Sequence, residues 1–235
     1  MVNLETRNNK LIATISLAII CMILSLLVVA VINLDNMYWG LFLTTGQLIA
    51  TLILIKYLNL SKKDLGLDYN RSKFSLHVLS ILSLLLIVFI VKYLIEGVHS
   101  VNEISSTVIY YFFFYIIVAI TEEIYFRGIV YYILKSWSKY TALIGSSIIF
   151  GLFHIRSGVP VVLVMIITGL SFAIVRFISE MNILLIPFHL FFNFQSALFV
   201  FNDSTLVSAI LYLGLSLLVV LIFVSIDSRA KKKTS

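Results

Sequence analysis

The chain is 235 residues long, 61% hydrophobic and only 12% charged, with a net charge of +6, two prolines and one cysteine. A soluble domain is nearer half apolar and about a quarter charged, so this composition excludes an ordinary globular domain, and a single cysteine excludes an intramolecular disulfide framework. The excess of positive charge calls for no nucleic acid once its placement along the chain is read.

Apolar stretches of about 18 residues or more read as transmembrane helices. Taken in order, eight are expected: about 11–32, 38–58, 76–95, 107–134, 140–156, 159–179, 182–200 and 205–226. The first follows Arg7 and Lys10 as a signal peptide would, but its apolar run exceeds the roughly 7–15 residues of a signal core and no small-residue cleavage site follows. It reads as a retained helix, and Cys21 within it as a small packing residue. Connections are short, so the fold class is all-α: residues 1–235 form one polytopic membrane bundle. The one substantial polar connection, "NLSKKDLGLDYNRSKFS" (59–75), is expected as a short amphipathic piece at the inner interface.

Basic residues orient the bundle. With the N-terminus inside, Arg7, Lys10, Lys56, Lys62, Lys63 and Lys231 to Lys233 fall on the cytoplasmic side, whereas the outer side receives only Lys92 and Arg156. Both termini are therefore expected in the cytoplasm, with the basic tail against anionic lipid headgroups.

The fourth stretch contains "AITEEIYFRGIV" (119–130), in which Glu122, Glu123 and Arg127 sit deep in apolar sequence. Each such charge costs roughly 2.5–3.5 kcal/mol at a helix centre. On an α-helix Glu123 and Arg127 are four apart, acid first, the favourable order for an ion pair. Glu122 points about 100° away and finds no polar neighbour on its own helix. Polar residues at membrane depth recur twice. In "GSSIIFGLFHI" (145–155) His154 follows the small pair Ser147 and Gly151, which lets another helix approach closely. In "IPFHLFFNFQ" (186–195) His189 and Asn193 share a face. Taken singly, an intramembrane histidine is more often an interhelical hydrogen-bonding group than a catalyst, and His77 and His99 read as helix-end or loop residues.

Together these side chains are the parts for hydrolysis by an activated water. A Glu beside a His holds and deprotonates water, and a second His with an Asn donates hydrogen bonds to an oxyanion. Glu122, His154 and His189 are equally a possible divalent-metal set such as one for zinc, and composition does not choose between the two. A proton relay or transporter using the same groups is a third reading; the paired broken helices that would support it are not evident, since Pro187 supplies one interruption only.

"EEIYFRG" (Glu122 to Gly128), "FGLFH" (Phe150 to His154) and "HLFFN" (His189 to Asn193) resemble, in order and in placement on three helices, the EExxxR, FxxxH and HxxxN motifs of the CAAX prenyl endopeptidase and bacteriocin-processing family of intramembrane proteases. The resemblance covers about 107–200, and the "LGL" at Leu65 to Leu67 is a weaker likeness. It implies a membrane-embedded endopeptidase with its site between the fourth, fifth and seventh helices. In that reading Glu122 and His154 activate water, His189 and Asn193 form the oxyanion site, and Glu123 and Arg127 support them. A metal is left open. The implied substrate is a membrane-associated protein or peptide, with bacterial peptide maturation or bacteriocin self-immunity as the role. A non-catalytic immunity or scaffold protein of the same fold is the alternative.

Overall fold

The structure is a computed structural model that describes residues 4–32, 36–201 and the isolated positions 210, 211, 214, 215 and 218. The helices are α1 (Leu4–Ile32), α2 (Asn36–Tyr57), α3 (Arg71–Val88), α4 (Ser106–Glu122), α5 (Tyr131–Lys135), α6 (Lys139–Leu152), α7 (Val159–Ser179) and α8 (Leu185–Leu198). Two π-helical segments, Phe89–Glu96 and Glu123–Val130, continue α3 and join α4 to α5. Local chemistry starts several of them. Asn70, Ser105 and Ser138 each accept an amide proton at the head of α3, α4 and α6, filling orphan donors of the first turn. Pro160 opens α7, where no amide hydrogen is needed.

Five helical spans among the described residues are long and apolar enough to cross a bilayer: Asn8–Ser25, Trp39–Tyr57, Arg71–Glu96, Ser106–Lys135 and Val159–Ser179. They correspond to the first four and the sixth of the eight expected spans. α6 and α8 have 14 residues each, about 21 Å at 1.5 Å per residue, short of a 30 Å hydrocarbon core. The expected helix at 205–226 lies outside the described residues except at the isolated positions above, which are helical. The bundle exposes its apolar side chains: Leu24, Leu52, Leu82, Leu86 and Phe113 are each more than half exposed, while Glu123 and Arg127 are fully buried. That inversion of a soluble surface is an integral membrane protein's.

Helices α6 and α7, α1 and α2, and α4 and α8 pack as neighbours. Gly151 permits the first pairing, because a Cβ there would meet the backbone of Ile166 and Val162 at 2.8 Å. One apolar core gathers Leu54, Leu65, Phe126, Ile129 and Phe150; a second gathers Leu84, Val88, Phe172, Leu185 and Phe188.

The structure refines several further expectations. The fold is not purely helical, because Val98–Val101 (β1) pairs antiparallel with Phe199–Phe201 (β2). The expected continuous fourth helix is interrupted by its π segment. The fifth ends at Leu152 rather than 156, since His154 leaves helical geometry (φ −96°, ψ 12°). The 59–75 loop leaves Ser61 to Lys63 and Asp68 to Ser72 exposed and buries Leu65 beneath Gly128, and Asn182 N–H donates to the Gly66 carbonyl at 2.7 Å. His77, expected near a helix end, lies buried within α3. Its Nε2 accepts from Leu184 N–H (3.2 Å), so Nδ1 carries the proton toward Ser179 Oγ (2.8 Å). It pins α3 to the turn after α7. Pro187 sits in the first turn of α8 and does not interrupt it.

Candidate active site

The segment Glu123–Val130 closes wider turns than an α-helix, and such segments cluster at functional sites. Here the widening changes what the two glutamates reach. Glu122 ends α4 and Glu123 begins the π segment, yet both carboxylates face His189 on α8. Glu123 Oε1 lies 2.7 Å from His189 Nδ1, and Glu122 Oε2 lies 3.6 Å from His189 Nε2.

The charges beneath form a chain. Arg127 Nη1 is 3.3 Å from Glu123 Oε1, close enough for charge attraction but misaligned for a hydrogen bond. Its Nη2 donates to the Gly169 carbonyl at 3.3 Å. The guanidinium is held against two rings, Phe150 and Phe172, with its carbon 4.3 and 5.1 Å from their centroids. Cation–π contact of this kind shields a desolvated charge from lipid. Side chains on the far side of the segment hold its backbone: Asn182 donates to the Glu123 carbonyl (3.5 Å) and Arg176 Nε to the Arg127 carbonyl (3.3 Å).

His154 stands just past the end of α6. The carbonyl of Phe150 accepts from its Nδ1 at 2.9 Å, since the His154 amide is turned to Gly151 instead. A carbonyl can only accept, so Nδ1 carries the proton and any lone pair the ring offers is on Nε2. Asn193 follows His189 by one turn on α8, and among the described residues its side chain makes no hydrogen bond. Glu122, His154, His189 and Asn193 all line one cavity of about 430 Å³. Glu122 and His154 border it without pairing with each other; the carboxylate's nearest described ionic partner is His189.

Two cavity residues carry no motif and escaped the sequence reading. Thr44 and Gln47 on α2 reach the same space, and the buried Gln47 Nε2 has no partner among the described residues. The available signal was two polar residues within an apolar run.

A catalytic zinc takes three protein ligands. Among the described residues no three His, Cys, Asp or Glu side chains are grouped so as to hold a metal ion. His189 Nδ1 is occupied by Glu123, and only its Nε2 faces Glu122. The residues do not fit a three-ligand site in this arrangement, and no step below passes through a metal.

No curated protein and no solved structure matches the chain. Residues 104–195 match the family model described as type II CAAX prenyl endopeptidase Rce1-like. That span begins just before α4 and ends within α8, so the similarity to the Rce1-like type II CAAX prenyl endopeptidase family takes in all three motifs together with the π segment.

Proposed function

We propose that this protein is an intramembrane endopeptidase that hydrolyses a peptide bond with a water activated by Glu122. The observation that carries the reading is the meeting of Glu122, His154, His189 and Asn193 around one cavity inside the bundle. A substrate carbonyl in that cavity lies between a base and two donors, the arrangement acyl transfer requires.

Glu122 takes a proton from the water, while the Nε2 lone pair of His154 accepts its other hydrogen and orients it. The water oxygen bonds to the scissile carbonyl carbon, and negative charge develops on the carbonyl oxygen. Asn193 Nδ2–H and His189 Nε2–H donate to that oxyanion. His189 does so in its doubly protonated form, with Nδ1–H given to Glu123. Glu122 and Glu123 then balance Arg127 and His189⁺, and the buried set carries no net charge, which lowers the cost of holding it in a bilayer. Collapse of the intermediate breaks the C–N bond as the proton on Glu122 passes to the leaving amine. The products are one carboxylic acid, which keeps the water's second hydrogen until it ionises, and one amine.

The substrate in this reading is a short membrane-associated peptide or protein precursor in a bacterial cell membrane, with both termini of the enzyme in the cytoplasm. The abundance of Ile, Lys, Asn, Phe and Tyr with few Pro is the composition of an AT-rich bacterial genome's product, and it supports peptide maturation or bacteriocin self-immunity as the role. Cleavage of a candidate peptide in proteoliposomes, with wild type against Glu122→Gln and with and without a chelator, tests the proposal. Loss of cleavage in the variant and retention with chelator are expected. Full activity of Glu122→Gln would refute the role of this glutamate, and loss with chelator would refute the metal-free route.

A further inference from the structure

A second cavity of about 440 Å³ shares no lining residue with the first. It is bordered by the ends of helices: Leu58 after α2, Asn70 before α3, Lys135 at the end of α5, and Arg176 with Glu180 where α7 stops. Helix ends of a membrane bundle lie at headgroup depth.

Its charges do not cancel locally. Of three acids, two are committed elsewhere. Asp64 Oδ2 accepts from Ser61 N–H (2.9 Å) and Ser61 Oγ–H (2.6 Å). Glu180 is bridged by Lys139 (2.8 Å) and Lys73 (2.9 Å). Asp68 remains. Against it stand Lys63, Lys135 and Arg176, none of which makes a salt bridge among the described residues, together with Lys10. Arg176 is the telling member. It is 4% exposed, and its Nε and Nη2 donate only to the carbonyls of Arg127 and Asp64. Its Nη1 has no described hydrogen bond, and its guanidinium leans on the Tyr131 ring, 5.5 Å from the centroid. The Asp64 and Glu180 carboxylates act on it only from beyond ion-pair range. A nearly buried guanidinium without a counter-ion, at the wall of a cavity ringed by lysines, lacks an anion.

We infer that this cavity is a binding site for a phosphate group, with Arg176 as its anchor and Lys63 and Lys135 as its rim. Phosphate matches the guanidinium fork and offers several acceptor oxygens to the lysines. The volume exceeds what phosphate alone fills, and Leu58, Ile133 and Met181 give an apolar wall for carbons esterified to it. A phospholipid headgroup and free phosphate share this chemistry. Because Arg176 also holds the carbonyl of Arg127, an anion here is one side chain removed from the π segment.

The test is thermal unfolding of the full-length purified protein in detergent micelles, titrated with phosphatidylglycerol, with phosphatidylcholine or with inorganic phosphate. Lys63→Gln/Lys135→Gln removes the rim from exposed positions; Lys231→Gln/Lys232→Gln removes equal charge from the tail. Phosphatidylglycerol or inorganic phosphate is expected to raise the midpoint, with apparent affinity about fivefold weaker for each rim lysine removed and unchanged in the tail variant. A rise with inorganic phosphate assigns the site to the free ion; a rise with phosphatidylglycerol alone assigns it to the headgroup. No rise with either ligand, an undiminished rise in the rim variant, or equal losses in rim and tail variants would overturn the inference.

Discussion

One carboxylate oxygen of Glu123 serves two partners: His189 Nδ1 at 2.7 Å and Arg127 Nη1 at 3.3 Å. The imidazole's orientation is thereby fixed by a residue on another helix, itself held by a guanidinium between two phenyl rings. With Nδ1 committed, the only nitrogen His189 can present to Glu122 is Nε2, and at 3.6 Å the two are within charge attraction but beyond a direct hydrogen bond. The predictions follow the division of labour between the neighbouring glutamates.

Glu122→Gln keeps shape and volume, and Glu122 belongs to none of the close contacts that hold the chain beneath it. The variant is expected to accumulate in membranes like wild type and to lose about 10²–10⁴-fold in cleavage rate per molecule. Immunoblot abundance alongside specific activity checks both halves.

Glu123→Gln breaks two contacts at once, leaving the Arg127 guanidinium without its anion and His189 without its orienting carboxylate. Removing one partner from a buried pair costs about 3–5 kcal/mol in soluble proteins. Both membrane abundance and per-molecule activity are expected to fall, with Glu123→Asp recovering abundance more than rate. Normal abundance with full activity in Glu123→Gln would contradict the chain of contacts.

Gly151→Ala places a methyl group against the backbone of α7, 2.8 Å from Ile166 N and Val162 O, where no side chain can swing away. A loss of about 1–3 kcal/mol is expected from overpacking. Gly214→Ala, with nothing within 4 Å among the described residues, is the matched control. Unfolding midpoints in detergent distinguish them.

The Lys73–Glu180–Lys139 cluster gives a pH dependence. The hydrogen bond from Lys139 and then that from Lys73 hold the Glu180 carboxyl at about 2, below its usual 4.5. A depressed folded-state value means the stabilisation is present in full above about 4.5 and is lost as pH falls from there through about 2. Glu180→Gln should therefore melt below wild type at pH 7, and the gap should close progressively between pH 4.5 and 2.

The buried charges were legible because each is costly in lipid: Glu122, Glu123, Arg127, His154, His189 and Asn193 stood out against apolar sequence before any fold was known. Their pairing was not. Helical spacing of 3.6 residues per turn gives Glu123 to Arg127 and turns Glu122 away from it, but the π segment follows another periodicity, and no helical wheel announces it. The His189–Glu123 contact joins positions 66 residues apart, beyond any local pattern. The end of α6 was missed because Ile148 to Phe153 is unbroken apolar sequence; what stops it is the ring of His154 and the turn closed by Gly158 (φ +95°). The inward fold of the 59–75 loop was hidden by its polar composition, since its anchors are the buried Leu65 and backbone oxygens bonded by Asn182 and Arg176. The ribbon of β1 and β2 joins residues about 100 positions apart and left no sequence mark.

The two rings that shield Arg127 bear on how the protein is made. Phe150 and Phe172 belong to α6 and α7, and Phe172 emerges from the ribosome 45 residues after Arg127. At roughly 5–20 residues per second that interval is about 2–9 s. Until Phe150 is made, 23 residues after Arg127, the guanidinium has neither ring beside it, and throughout the interval His189 has not yet been synthesised to meet Glu123. The helix carrying the site is thus least acceptable to lipid while it is newest.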